Sequence, residues 1–236
     1  MAVELDPKAQ AFIANISQRL GRPIPTTPPP REFVGPPDFW TSFNPSKEEM
    51  IKQFSDNLHT LTGKALLVPD YEQLTTQILS WLRELNAKSV ICWDTPAMQA
   101  AGISEACKQS GIKVVLWDPK RDRQEMIRDA ANVDVGITWA DYAISTTGTV
   151  ALFSNPLQGR SVSLLPPVHL AVVNTDRLVA RMGEVLRLVS SGEKTASSLN
   201  FITGPSRTSD IEMDLSVGVH GPGKVFVALL DSPSLS

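Results

Sequence analysis

ALLVPDYEQLTTQILSWLRELNAKSVICW, residues Ala65–Trp93, is the stretch that decides the fold. Ala65–Val68 is a continuous apolar run of strand length. Asp70 then stands before Leu74, Ile78, Trp81, Leu82 and Leu85, which recur at helical spacing, and its short carboxylate suits an N-cap. Ser89–Trp93 turns apolar again. Strands that are apolar throughout, without alternation, are buried on both faces, and such strands joined by a helix run parallel.

The same rhythm extends to either side. Upstream, Ser46 and Glu49 have the spacing of a capping box ahead of the stripe Met50, Ile51, Phe54 and Leu58. Downstream, Thr95-Pro96 opens a helix predicted to end near Gly111. Ile112–Trp117 reads as a strand, Asp122–Ala131 as a helix and Val133–Thr138 as a strand. After Trp139 the pattern changes. Asp141–Ser145, Val150–Phe153 and Ser161–Leu165 are short segments broken by Gly and Asn-Pro, predicted as added antiparallel strands. Val168–Val173 is a strand and Asp176–Val189 a helix with Leu178, Val179, Met182, Val185, Leu186 and Val189 on one face. Leu199–Ile202 and Val225–Leu230 complete the strands. The predicted class is α/β, a mostly parallel sheet covered on both faces with antiparallel additions.

Three regions follow. Residues 1–45 hold a helix, with Asp6 as N-cap, Pro7 at its first position and Gly21 at its end, followed by an arm. That arm, Arg22–Pro45, carries eight of the chain's 18 prolines, which excludes both helix and central strand. Phe33, Phe39, Trp40 and Phe43 suit it to pin onto an apolar surface; a mobile linker is the alternative. Residues 46–231 form a single α/β domain, and 232–236 a disordered tail.

Composition narrows the function. With 236 residues, 42% hydrophobic, the chain can bury a sizeable core. A net charge of −3, with Lys and Arg scattered, argues against a general nucleic-acid binder. No apolar run approaches the roughly 18 residues of a membrane span. The opening MAVELDPKAQ lacks a signal-peptide core, and Cys92 and Cys107, both read as buried free thiols, suit a reducing compartment, so a cytoplasmic location is expected. Two cysteines cannot hold an iron–sulfur cluster within one chain. His59, His169 and His220 share no metal-ligand spacing, and neither a dinucleotide fingerprint nor a Walker A sequence is present. No metal or cofactor is expected in this chain.

Three loops remain as candidates. In Ser145–Thr149, the residues Thr147, Gly148 and Thr149 combine hydroxyls with a flexible backbone able to turn N–H groups toward an anion; an ordinary turn is the competing reading. Pro166-Pro167 sets His169 at the start of a strand, as a proton shuttle, an anion donor or a satisfied core histidine. Ile202–Lys224 is the longest and richest in glycine. Gly204, Ser206, Arg207 and Thr208 lead into Ser209–Glu212, read as a helix start, where N–H groups and a guanidinium suit phosphate or carboxylate. His220 and Gly221 return to the last strand. The loops together suggest one anion pocket. No catalytic residue is assigned, because Ser206 has no base near it in sequence.

The runs ADYAISTTGTVAL (Ala140–Leu152), GRSVSLLPPVHLAVV (Gly159–Val173) and ITGPSRTSDIEMDLSVGVHGPGKVFVALLD (Ile202–Asp231) resemble the lactate-utilisation protein C family, whose domain is called LUD. The resemblance implies a Rossmann-like three-layer α/β/α fold similar to the NagB/RpiA/CoA-transferase group. It also implies a non-redox, accessory part in a system oxidising L-lactate to pyruvate, with iron–sulfur clusters in partner subunits. The arm suits contact with such a partner or with a second copy of the chain. The alternative is a stand-alone enzyme acting on a sugar phosphate or CoA ester. One departure bears on that choice: where the family usually has glutamate, this chain has Thr146.

Overall fold

The computed structural model describes residues 6–24, 44–191, 196–205, 207–209, 215–217 and 221–232. The chain divides into two compact units, residues 1–43 and 44–236. In the first, helix α1 (Pro7–Arg19) starts as the sequence predicts, with the Asp6 carboxylate accepting from Lys8 N at 2.7 Å and proline at the first position. Most of the proline-rich arm, 25–43, lies outside the described residues, as do 233–236 of the tail.

The second unit opens with α2 (Lys47–Thr60). Its capping box is complete: Glu49 N donates to Ser46 Oγ at 3.2 Å and Ser46 N to the Glu49 carboxylate at 2.7 Å. The chain then runs β1 (Lys64–Val68), α3 (Tyr71–Glu84), β2 (Ser89–Cys92), α4 (Pro96–Ala100), α5 (Ile103–Gln109), β3 (Lys113–Leu116), α6 (Arg123–Ala131) and β4 (Val135–Trp139). A short excursion follows, with β5 (Tyr142–Ile144), β6 (Thr149–Ser154) and α7 (Ser161–Leu164). Strand β7 (Val168–Asn174) is followed by β8 (Leu178–Val179), α8 (Met182–Ser190), β9 (Ser198–Ile202), β10 (Arg207–Ser209), β11 (Leu215–Val217) and β12 (Lys224–Leu230).

Six strands form one parallel sheet in the order β3-β2-β4-β7-β12-β1. Its central strands β4, β7 and β12 are the continuous apolar runs of the sequence, and β7 is buried along its whole length. Helices α3, α4 and α5 cover one face, where Leu74, Ile78, Trp81, Met98 and Ile103 meet Val90, Ile137, Leu170 and Ala228. On the other face Phe54 and Leu58 of α2, Met126 of α6 and Val162 of α7 pack with Ile91, Ala171 and Val227. This is the three-layer arrangement expected of such strands. A second sheet, β8-β5-β6-β9, adds the antiparallel pairs β5/β6 and β6/β9.

Four local expectations are corrected. Ser161–Leu165 is a helical turn, α7, not a strand: Leu165 N donates to Ser161 O at 3.1 Å and Pro166-Pro167 ends it. A run as short as SVSLL fits either period. The helix expected over Asp176–Val189 begins only at Met182. Before it, Thr175–Arg177 makes a 3-10 turn and Leu178–Val179 pairs with β5 as β8. The true start was marked by Glu184, whose carboxylate accepts from Arg181 N at 2.9 Å. The helix predicted to reach Gly111 is two helices, separated at Gly102, which adopts φ +64°. Finally, Arg207–Ser209 is a strand paired antiparallel with Leu215–Val217, so the expected helix does not start at Ser209; residues 210–214 lie outside the described residues.

Candidate functional site

The first candidate loop is held against α2. Ser145–Thr147 forms a 3-10 turn and Gly148 follows at φ +61°. Asn57 Nδ2 of α2 donates to Ser145 O at 2.9 Å, and Ser145 Oγ donates to Gln53 Oε1 at 2.8 Å. A Cβ on Gly148 would lie 2.6 Å from the backbone nitrogen of Leu58, so only glycine lets the loop approach the helix this closely. Gly204, at φ +82°, meets the end of the same helix: a Cβ there would lie 3.0 Å from Leu61 Cβ. Two left-handed glycines thus bring the turn before β6 and the turn after β9 against the C-terminal end of α2, at Asn57–Leu58 and at Leu61.

What converges there is a chain of hydroxyls. Thr147 Oγ1 and Thr149 Oγ1 lie 2.7 Å apart, and Thr149 Oγ1 and Thr203 Oγ1 lie 2.6 Å apart. Thr149 is fully buried, while Thr147 and Thr203 are exposed. Three hydroxyls carry three protons and their two mutual bonds use two. Because Thr149 is buried, the arrangement that strands no O–H in the interior has it donate to one neighbour and accept from the other, which leaves one O–H, of exposed Thr147 or Thr203, to donate elsewhere, polarised by the chain behind it. That suits an anion oxygen. Thr203 escaped the sequence reading, although its place directly before a turn glycine was a usable signal.

Thr146 takes no part in this chain. Its hydroxyl donates to Ala180 O at 2.8 Å, and its backbone N–H points at the same carbonyl at 3.3 Å. An ionised carboxylate accepts only, so glutamate could not make the hydroxyl's bond.

His169 sits elsewhere. It is the second residue of β7, paired with Gly136 and Val225, and is fully buried. Its Nε2 shares a hydrogen bond of 2.8 Å with Thr138 Oγ1, while Nδ1 has no partner among the described residues. Burial pushes its pKa down to about 3, so the ring is neutral near pH 7. Gly221 lies just before β12, and Gly223 N donates to Pro167 O at 2.9 Å in the same corner of the sheet. The structure therefore brings together Thr147, Gly148, Thr149 and Gly204, puts His169 and Gly221 at the starts of β7 and β12, and places Arg207 and Thr208 on strand β10. Ser206 and His220 lie outside the described residues.

Both cysteines are buried, and burial raises both thiols, that of Cys107 to about 11. Neither is a ready nucleophile. Among the described residues no group of three His, Cys, Asp or Glu could hold a metal ion, and no helix is long and apolar enough to cross a membrane.

Fold and loops define a three-layer α/β domain with a hydroxyl-bearing loop cluster at one edge. The LUD domain matches residues 51–230, and the chain belongs to that family. It is 34% identical to lactate utilization protein C of Halalkalibacterium halodurans over 223 residues, 91% of this chain and 94% of that one. It is 36% identical to lactate utilization protein C of Shouchella clausii, over 94% of this chain and 96% of that one. The uncharacterized protein YkgG of Escherichia coli K12 is 30% identical over 93% and 96%. A crystal structure of a DUF162 family protein from Deinococcus radiodurans shares the fold, with a TM-score of 0.59 at 24% identity, covering 79% of this chain and 99% of that one.

Proposed function

We propose that this chain is an accessory, non-redox component of a cytoplasmic system that oxidises L-lactate to pyruvate. The observation carrying this reading is its likeness, over more than nine-tenths of its length, to proteins named lactate utilization protein C. Within that system it binds a small anion at the Thr147–Thr149–Thr203 chain and docks subunits that carry the iron–sulfur clusters. The outward-donating hydroxyl supports the anion. Electron transfer falls to the partners, because two buried thiols with raised pKa values offer no cluster ligands.

The test is a deletion of the gene followed by growth on L-lactate as sole carbon source, with complementation by the wild-type chain and by Thr149→Val. Loss of growth, restored by the wild-type chain, and capture of iron–sulfur proteins on a tagged copy are expected. Normal growth of the deletion strain overturns the reading. So does turnover of a sugar phosphate or CoA ester by the purified chain without partners.

A further inference from the structure

A second concave site lies at the far end of the strands that carry the hydroxyls. Thr149 begins β6 and Thr203 follows β9; Ser154 ends β6 and Ser197 precedes β9, with Ser154 paired to Ser198. Five residues of extended chain put the two ends about 17 Å apart. At the Ser154 end is a cavity of about 460 Å³, bounded by Trp117, Ser154 and Asn155, the turn Gln158 to Ser161, α6 and the end of α7. Its size is in the range of small-molecule sites and far exceeds what a bare inorganic anion fills. It opens beside Trp117, directly after the carboxyl end of β3, the edge at which parallel α/β sheets generally take their ligands.

The walls are prepared for a particular chemistry. Arg123 and Arg160 both line the cavity, and neither guanidinium is paired with a carboxylate among the described residues. Among the described residues, the acidic groups adjoining the cavity have partners of their own: the Asp118 carboxylate, next to Trp117, accepts from Lys120 N at 2.8 Å. Arg121 holds Asp129 at 2.9 Å and Glu125 at 3.6 Å, and the Asp122 carboxylate caps α6 by accepting from Gln124 N and Glu125 N at 3.0 Å. The Ser161 hydroxyl is a further donor in the wall. Ile127 and Leu164, each four residues after one of these arginines on the same helical face, and Leu165 add apolar surface to the wall, and the two leucines stay 38% and 42% exposed.

The turn that carries Arg160 is pinned. Trp117 Nε1 donates to Pro156 O at 2.9 Å, and Trp93 Nε1 donates to Gly159 O at 3.0 Å. A Cβ on Gly159 would lie 2.1 Å from the Trp117 ring, so glycine is required for the turn to rest on the indole. Two indoles thus fix the backbone next to Arg160, which favours binding by limiting what must be ordered.

We propose that this cavity binds a phosphorylated small molecule of nucleoside-monophosphate type. Its phosphate dianion lies between Arg123 and Arg160, and its ring body lies against Trp117 and the apolar wall. Two guanidiniums with no carboxylate partner among the described residues match the dianion in charge and offer forked donors. The remaining volume and the indole account for the ring.

Adenosine monophosphate, adenosine and inorganic phosphate serve as probes, titrated into the purified full chain by calorimetry and by tryptophan fluorescence. The nucleotide is expected to bind at least about tenfold more tightly than either fragment. Arg123→Ala and Arg160→Ala are each expected to weaken it by on the order of tenfold, with Arg160→Lys less harmful than Arg160→Ala. Both arginines are exposed, so these variants keep the fold, which circular dichroism checks. Trp117→Phe should reduce the fluorescence response. Thr149→Val, at the other end of β6, should leave nucleotide binding unchanged. The proposal is overturned by absence of nucleotide binding up to about 5 mM, a concentration that would detect even a millimolar site. It is equally overturned by binding indifferent to both alanine variants, or by binding lost in Thr149→Val. None of these results depends on growth on lactate, so failure here leaves the accessory role standing, and failure of that role leaves this site standing.

Discussion

At the scale of single residues, the candidate site turns on which hydroxyl does what. Thr149 is the buried centre of the Thr147–Thr149–Thr203 chain, and valine matches its shape without its oxygen. Thr149→Val leaves Thr147 and Thr203 with water as a substitute partner, so the expected loss of stability is about 1 kcal/mol, readable in urea unfolding. Its effect on function should be larger, because the outward donor loses the group that polarises it: complementation of growth on lactate is expected to fall with Thr149→Val and to return with Thr149→Ser. Thr146 makes the opposite case. Its hydroxyl is spent on Ala180 O, so Thr146→Glu, which sets at this position the acid that the family resemblance implies, removes a donor from a carbonyl and puts a carboxylate near it. A destabilisation of about 1–2 kcal/mol is expected in the same assay. A neutral or stabilising result would mean that the loop re-forms around an acid, and that threonine here is no structural commitment.

At the scale of elements, the close approach of α7 to the sheet is the most sensitive joint. Gly136 in β4 faces Val162 in α7, and a Cβ there would lie 1.8 Å from Val162 O. Backbone cannot yield as a side chain can, so Gly136→Ala must lift α7 from the sheet. A cost of about 3 kcal/mol or more is expected, seen as a fall of roughly 10 °C in Tm for a domain of this size. The same displacement would move Ser161, Leu164 and Leu165, which line the cavity beside Trp117. This joint was invisible in the sequence, where Ser161–Leu165 reads as a strand and Gly136 as an ordinary strand residue. The long periodic pieces were legible: Asp70 with the Leu74–Leu85 stripe, the Ser46 and Glu49 box, and the unbroken apolar runs of β7 and β12. Their signals are local, either one cap and one period or one run without polar interruption. The hydroxyl cluster was half legible. Thr147–Thr149 and Gly204 carry glycine turns that can be read in place, whereas the meeting of Thr149 with Thr203 depends on the register of β6 against β9, which no local pattern encodes.

At the scale of the whole molecule, His169 couples the stability of the domain to pH. The ring is fully buried, its Nε2 is tied to Thr138, and burial holds its folded pKa near 3 against an unfolded value of 6.5. The folded state therefore binds fewer protons than the unfolded state between those values, and stability must rise with pH across that window. Above pH 6.5 both states hold a neutral ring and the term vanishes. Between pH 6.5 and 5 the unfolded chain takes up the proton and the folded chain does not, which costs about 2 kcal/mol. Urea unfolding at pH 7 and pH 5 should show this loss, and His169→Gln should reduce it, whatever that substitution does to stability at pH 7. Other carboxylates and histidines contribute to both chains equally, so the difference between the two slopes belongs to His169. If wild type and variant lose the same stability on acidification, the imidazole is protonated in the folded state or solvated through Nδ1, which has no partner among the described residues, and the ring is then open to the chemistry that its burial denies it.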